Sequence, residues 1–149
     1  MMHRRSPAEE ISEQCLAVRL RVLNRVISGV YDEALRPYGL RISQLNILVA
    51  IARMGEAQPS RLCRALHLDP STLSRNVERM LKRGWLRVSA GEDGRTQVLR
   101  VTTEGEELLR TAVPAWEKAQ QQAAELLGEE AAAALRAMAQ PLFPGGGTE

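Results

Sequence analysis

Residues 64–102 read RALHLDPSTLSRNVERMLKRGWLRVSAGEDGRTQVLRVT, and the order of elements in this stretch decides the fold. A short helix gives way to a turn, a capped second helix follows, and two strands joined by a charged hairpin close the segment. Asp69 is a strong N-cap, Pro70 sits at the first helical position where its missing N–H costs nothing, and Gly84 follows the last turn as a stop. Between these marks Leu73, Val77, Met80 and Leu81 recur at helical spacing and form one apolar stripe that must pack inward. The opposite face carries Ser71, Arg75, Glu78, Arg79 and Lys82, with Thr72 and Ser74 at its edges. Small hydroxyls near a helix N-terminus permit close approach to a phosphate or base edge, and Arg75 and Arg79 reach far enough for guanine acceptors or the backbone. A solvated surface helix shows the same stripe, so its neighbours decide between the two.

The neighbours are strands. Trp85–Ser89 (WLRVS) and Gln97–Thr102 (QVLRVT) alternate with period two, and the turn-forming AGEDGR lies between them. At the tip Asp93 and Arg95 stand two apart, flanked by Gly91 and Gly94, so the hairpin presents a guanidinium with a carboxylate close enough to orient it. A tip arginine suits the minor groove, where negative potential concentrates in narrow A·T-rich tracts. A helix-turn-helix followed by such a wing has duplex DNA as its natural partner.

The runs DPSTLSRNVERMLKRGWL and EDGRTQVLRVTTEG closely resemble the recognition helix and wing of MarR-type transcriptional regulators. Their wing carries Asp-x-Arg and its second strand leads into a Thr-x-x-Gly helix start; the matching residues are Asp93, Arg95, Thr102 and Gly105. The similarity continues upstream through YDEALRPYGLRISQLNILVAIARMG, and in helix order it covers nearly the whole chain. The resemblance implies a triangular homodimer interlocked through its outer helices. It also implies a pocket between those helices and the DNA-binding lobe, often accepting small phenolic or aromatic effectors, to which Tyr31, Tyr38, Met54 and Trp116 are candidates.

Composition sets the limits. A chain of 149 residues forms one compact unit, and its net charge of +2 does not by itself announce nucleic acid. The distribution says more: residues 60–100 hold nine Lys/Arg against four Asp/Glu, so the basic charge lies where the DNA face is expected. No apolar run approaches the roughly 18 residues needed to span a membrane, and the start MMHRRSPAEE has no apolar signal core, which points to the cytoplasm. The two cysteines do not make a disulfide scaffold.

Outside the central unit the pattern is long and amphipathic. Ser6, Pro7 and Glu9 form a capping box that opens a single helix running to Pro37. On it Ile11, Cys15, Val18, Val22 and Val26 make one apolar line and Leu16, Leu20, Leu23, Ile27 and Tyr31 another, a pattern that asks for two partners, one of them a second subunit. Ser43 is expected to cap the next helix, with Leu45, Leu48, Val49 and Ala52 facing inward and Gly55 ending it. Gln58 and Pro59 open the first helix of the helix-turn-helix, and His67 replaces the Gly common in such turns. After the wing, Thr102 or Thr103 caps a helix whose seam runs from Leu108 through Ala112, Val113, Trp116 and Ala119 to Leu127, with a kink expected at Pro114. Gly128 separates a last alanine-rich helix, roughly Glu129–Gln140.

The expected fold is therefore mainly α: a winged helix-turn-helix with a two-stranded β-wing and long N- and C-terminal dimerisation helices. The expected division is a dimerisation helix over 1–36, the DNA-binding lobe over 37–102, dimerisation helices over 103–142 and a disordered tail over 143–149. The DNA-contacting set is Ser71, Thr72, Ser74, Arg75, Arg79, Lys82, Asp93 and Arg95. His3 and His67 have no companions at metal-ligand spacing, and no phosphate loop or nucleophile elbow occurs, so neither a metal, a cofactor nor catalysis is expected. The expected function is a ligand-responsive repressor that binds a pseudo-palindromic operator as a homodimer. Two alternatives stand beside it. One is a redox switch at Cys15, near the place where the peroxide-sensing branch of the resembled family carries its reactive cysteine, although the tyrosines expected on the same helix are here Arg19 and Gly29. The other is a winged helix that binds protein and never DNA, for which an apolar or acidic outer face on the second helix would be the mark.

Overall fold

The central helix pair and wing form where the caps and periodicities place them. In the computed structural model, which describes residues 5–142, the elements in chain order are α1 (Pro7–Gln14), α2 (Leu16–Leu35), a 3-10 turn (Arg36–Tyr38), α3 (Ile42–Met54), α4 (Pro59–Leu66) and α5 (Pro70–Lys82). The strands β1 (Leu86–Ala90) and β2 (Gln97–Val101), the helices α6 (Thr103–Leu127) and α7 (Glu129–Ala139), and a second 3-10 turn (Gln140–Leu142) complete it. β1 and β2 pair antiparallel with Leu86 opposite Val101 and Ala90 opposite Gln97. An isolated bridge between Ala57 and Leu99 ties this hairpin to the loop before α4. The architecture is mainly helical with a two-stranded wing, as the sequence leads one to expect; the tail 143–149 lies outside the described residues.

One core serves the lobe. Leu45, Ile47, Leu48 and Ile51 of α3 meet Leu62 of α4, Leu73 and Met80 of α5, Trp85, Leu86 and Leu99 of the wing, and Leu35, Leu40 and Ala112 from the flanking segments. The inward face of α3 differs from the expected one: Val49 and Ala52 are exposed, while Gln44, Ile47 and Ile51 are buried. Val49 and Ala52 share the outer side with the exposed Ser43, Asn46 and Arg53, so the apolar pattern spreads round the helix, and packing selects the stripe centred on Ile47 and Ile51. Its N-terminus also begins differently. Arg41 is the N-cap, its N–H donating to Gln44 Oε1 at 3.0 Å, and the N–H of Ile42 donates to the Asp32 carboxylate of α2 at 2.8 Å. Ser43 lies within the first turn and does not cap.

The long first helix is two. The chain is extended at Cys15 (ψ 110°), which ends α1 and starts α2. The Arg19 guanidinium folds back to donate to the carbonyls of Ser12, Glu13 and Cys15, satisfying acceptors that the broken helix leaves over. The capping box at Ser6 and Glu9 does form, with bonds of 2.7 and 3.2 Å.

At the far end of the wing, Thr102 is the N-cap of α6, accepting from Gly105 N–H at 3.1 Å; the alternative capping box at Thr103 and Glu106 is not the one used. Thr102 also donates its hydroxyl to the Gly84 carbonyl at 2.5 Å and its N–H to the Trp85 carbonyl at 3.0 Å. A Cβ at Gly105 would lie 2.3 Å from that same Trp85 carbonyl oxygen, so only glycine lets α6 start this close to the end of α5. The Thr-x-x-Gly spacing thus fastens the last turn of α5, the wing and α6 at one point. The proline expected to kink α6 does not divide it, for the helix runs on through Pro114. Ala112, Ala119 and Ala123 form the buried line of α6, small enough to let α2 pack closely, and the Tyr31 hydroxyl of α2 donates to Gln120 of α6.

Candidate nucleic-acid interface

α5 projects from the lobe because its apolar stripe is fully used. Leu73 and Met80 are buried, Val77 and Leu81 half-buried, and the remaining face is left to solvent. Ser71, Ser74, Arg75, Glu78, Arg79 and Lys82 are exposed; Thr72 is half-buried at the edge. Arg75 and Arg79 form no ion pair among the described residues, whereas Lys82 pairs with Glu78 one turn back at 3.1 Å. The two arginines are therefore the uncommitted cations of this face.

The N-terminus of α5 is organised by Asp69. Its carboxylate accepts the backbone N–H of Ser71 (3.1 Å) and Thr72 (3.3 Å), and the hydroxyls of Ser71 (2.5 Å) and Thr72 (2.6 Å) donate to it as well. Those hydroxyl bonds, the largest cause, followed by the backbone donors, hold the Asp69 carboxyl well below the usual carboxylate range. Two of the expected DNA-contacting hydroxyls are thus spent on the cap. Ser74, Arg75 and Arg79 are the exposed donors near this end that Asp69 does not hold.

The wing tip carries a correction of the same kind. Asp93 orients the chain and not the guanidinium: it accepts the N–H of Arg95 at 3.0 Å, the N–H of Thr96 at 2.9 Å and the Thr96 hydroxyl at 2.6 Å. The Thr96 hydroxyl is the largest cause of its carboxyl being pushed down to about 2, the two N–H groups adding to it. The turn is held from inside, with Gly94 in the left-handed region at φ 68°, and Arg95 is exposed at its tip with its side chain unclaimed by Asp93.

Other cations share the lobe. Arg61 and Arg64 are exposed on α4 and Arg87 on β1, none singled out by sequence beyond the local excess of basic charge. Arg83, by contrast, folds over the Trp85 ring, 5.2 Å from its centroid, and belongs to the packing. His67, in the turn between α4 and α5, takes the left-handed conformation that glycine usually supplies (φ 52°), and its ring nitrogen lies 3.2 Å from the Leu142 carbonyl. Cys15 is half-buried at the break between α1 and α2, and the Arg19 that stands beside it is engaged with backbone carbonyls. Cys63 is half-buried against the core. No group of three His, Cys, Asp or Glu poised for a metal occurs among the described residues, and no described helix is long and apolar enough to cross a membrane. Of the four aromatic and Met residues expected near an effector, only Tyr38 lines the groove between α2 and α6.

The match to known proteins centres on this lobe. A family model described as MarR family matches residues 38–96, and the M. tuberculosis transcriptional regulator MosR, solved in complex with DNA, is 34% identical with a TM-score of 0.66, covering 76% of this chain and 81% of that one. The chain belongs to the MarR family. A mutant MarR from E. coli, solved with operator DNA, shares the fold with a TM-score of 0.77 over 90% of this chain and 97% of its own, at 19% identity. Among curated proteins, the uncharacterized HTH-type transcriptional regulator YwoH of Bacillus subtilis is 29% identical over 82 residues, 55% of this chain. The chain spans 60% of YwoH's length, less than two thirds of the curated relatives it matches. Within this MarR-family chain the matched segment runs from the 3-10 turn through the wing tip, the region that carries every expected DNA-contacting residue.

Proposed function

We propose that the protein is a transcriptional regulator that binds duplex DNA sequence-specifically as a homodimer, with α5 in the major groove and the wing tip in the minor groove. The observation that carries this reading is the outer face of α5, where Arg75 and Arg79 are exposed and unpaired among the described residues. Arg75, Arg79 and Ser74 read base edges or phosphates, Ser71, Thr72 and Lys82 support them, and Asp93 shapes the loop that offers Arg95. The M. tuberculosis transcriptional regulator MosR, 34% identical and solved in complex with DNA, supports DNA as the partner. A protein-binding winged helix needs an apolar or acidic surface at this place, and the face is neither.

The homodimer rests on a separate observation. Ile11, Leu16, Val18, Leu20, Val22, Leu23 and Val26 are all exposed, as are Val113, Trp116, Leu126, Leu135 and Met138 on α6 and α7. Exposed apolar surface on this scale marks an interface. The division into dimerisation helices at 1–36 and 103–142 around a lobe at 37–102 belongs to this proposal. A two-fold dimer sets two α5 helices in successive major grooves, about 34–36 Å apart, and reads a pseudo-palindrome. Repression released by a small effector fits a groove of about 740 Å³ between α2 and α6, where Val26, Val30, Pro37 and Ala115 supply apolar walls and Glu33 and Lys118 opposite charges.

Selection of bound duplexes from a random pool tests the reading. The expected product is one motif with two inverted halves spaced by about one helical turn; a pool that does not converge removes sequence-specific DNA binding.

A further inference from the structure

A partly shielded ion pair stands at the seam between the wing and the helical lobe. Arg100, in β2, pairs with Glu56, in the loop before α4, and its Nε donates to Ser89 Oγ of β1 at 3.1 Å. The two side chains are 38% and 29% exposed, in contrast to the 74% and 66% of Lys82 and Glu78 on α5. Exposed pairs contribute little; one that is shielded and held by a further hydrogen bond fixes geometry better. Beside it run the two backbone bonds between Ala57 and Leu99, at 3.0 and 2.9 Å. Glu56 and Arg100 therefore clamp the hairpin where it leaves the lobe, and a two-stranded hairpin without such support is marginal in water.

The strand register adds a second reason for the clamp. Arg87 and Arg100 are direct cross-strand partners, and like charges in that position repel. Glu56 neutralises Arg100 and draws it to the lobe, which leaves Arg87 and Arg95 as the wing cations with no ion pair among the described residues. We infer that Glu56 and Arg100 are positioning residues for DNA binding: they hold the wing at the angle from which Arg95 reaches the minor groove. The inference rests on the DNA-binding reading above and names what aims one of its contacts.

Charge gives the test a clear sign. Glu56→Gln removes a carboxylate from a DNA-binding lobe, so electrostatics alone would tighten binding, whereas loss of positioning weakens it. With the selected duplex, Arg95→Ala is expected to lower the affinity of the wild-type protein about tenfold. Glu56→Gln is expected to lower it several-fold, and in that background Arg95→Ala should cost no more than about twofold, because the arginine is already misplaced. The charge-swapped pair Glu56→Arg with Arg100→Glu should restore most of the affinity and most of the Arg95→Ala effect. Glu56→Gln that binds as well as wild type or better, with the full cost of Arg95→Ala retained, overturns the inference. Amide exchange in the free protein separates this from failure of the DNA reading: the Leu99 N–H, bonded to Ala57, should lose protection in Glu56→Gln whether or not any duplex binds, and unchanged protection there overturns the clamp itself.

Discussion

The winged lobe and the outer helices are built on opposite principles. From Leu40 to Leu99 the large apolar residues close around one core, with Leu40, Ile47, Leu48, Ile51, Leu62, Leu73 and Met80 essentially without solvent exposure. From Ile11 to Val26 seven large apolar side chains are each at least 47% exposed. The lobe completes itself within one chain, using caps at Asp69 and Thr102 and close approach at Gly105 to lock its parts together. The arm from α1 into the first half of α2 completes nothing by itself: α1 has no buried residue and is too short to be stable alone in water, and α2 joins the core only near its end, at Leu35. The difference separates a unit that carries its own stability from arms whose apolar surface the chain leaves uncovered, the surface assigned above to the proposed dimer. It also separates what each part contributes to the proposed function, the lobe supplying contacts and the arms the spacing between two sets of them.

The largest expected effect comes from breaking the arms alone. Leu20→Glu with Leu23→Glu should leave the lobe folded, convert the protein to monomer in sedimentation, and lower affinity for a two-half-site duplex by about two orders of magnitude or more, as expected when a bivalent contact becomes monovalent. A dimer that persists with both charges in place shows that α2 is not the interface.

Next in size is a lobe core deletion. Leu48→Ala should cost about 2–5 kcal/mol in urea denaturation, while Leu20→Ala should alter stability only in proportion to dimer formation and hence with protein concentration. Equal, concentration-independent losses from the two would erase the distinction between the regions.

A smaller effect sharpens the picture within the lobe. Arg75→Ala should weaken DNA binding by about 1–3 kcal/mol and relax preference at one base pair, to be read by repeating the duplex selection. An unchanged motif removes Arg75 from the reading set.

The smallest effect is local and acidic. Asp93 titrates near 2 in the folded wing against an ordinary value of 3.8. A depressed carboxyl contributes stability that is fully present above the ordinary value and fades as pH falls toward the folded one, so the wing turn should loosen between about pH 4 and pH 2. The amide resonances of Arg95 and Thr96 should move through that range in the wild type and stay still in Asp93→Asn; identical titrations would mean that the carboxylate does not hold the turn.

What the sequence made legible was whatever neighbouring residues decide together. Asp69 and Pro70 mark the start of α5 and Gly84 its end, each within two residues of the observed bounds, and the alternation in Trp85–Ser89 and Gln97–Thr102 marked the wing, so both could be read directly. The break at Cys15 could not be read, because the capping comes from the Arg19 side chain folding back over the preceding turn. The start of α3 was missed because its N-cap, Arg41, is no usual capping residue, and the acceptor for the Ile42 N–H is Asp32, brought from another helix. The inner face of α3 was misread because Val49 and Ala52 put apolar residues on the outer side that Ser43, Asn46 and Arg53 mark, while the polar Gln44 lies on the inner one. Within the candidate site the residue types were legible and their bonding was not: nothing in the pattern tells that Ser71 and Thr72 donate to Asp69, that Asp93 serves the Arg95 backbone, or that Glu56 meets Arg100, 44 positions further along the chain.

The central claim is that two copies of this lobe, joined through the arms, read one duplex. Its most direct test is a titration of the selected duplex with purified protein across salt concentrations in the presence of unlabelled competitor, with the mass of the complex measured alongside. The account predicts two chains per site, resistance to competitor, and an affinity that falls linearly in log–log form as salt rises. One chain per site, or binding that competitor DNA removes as readily as the selected duplex, would contradict it.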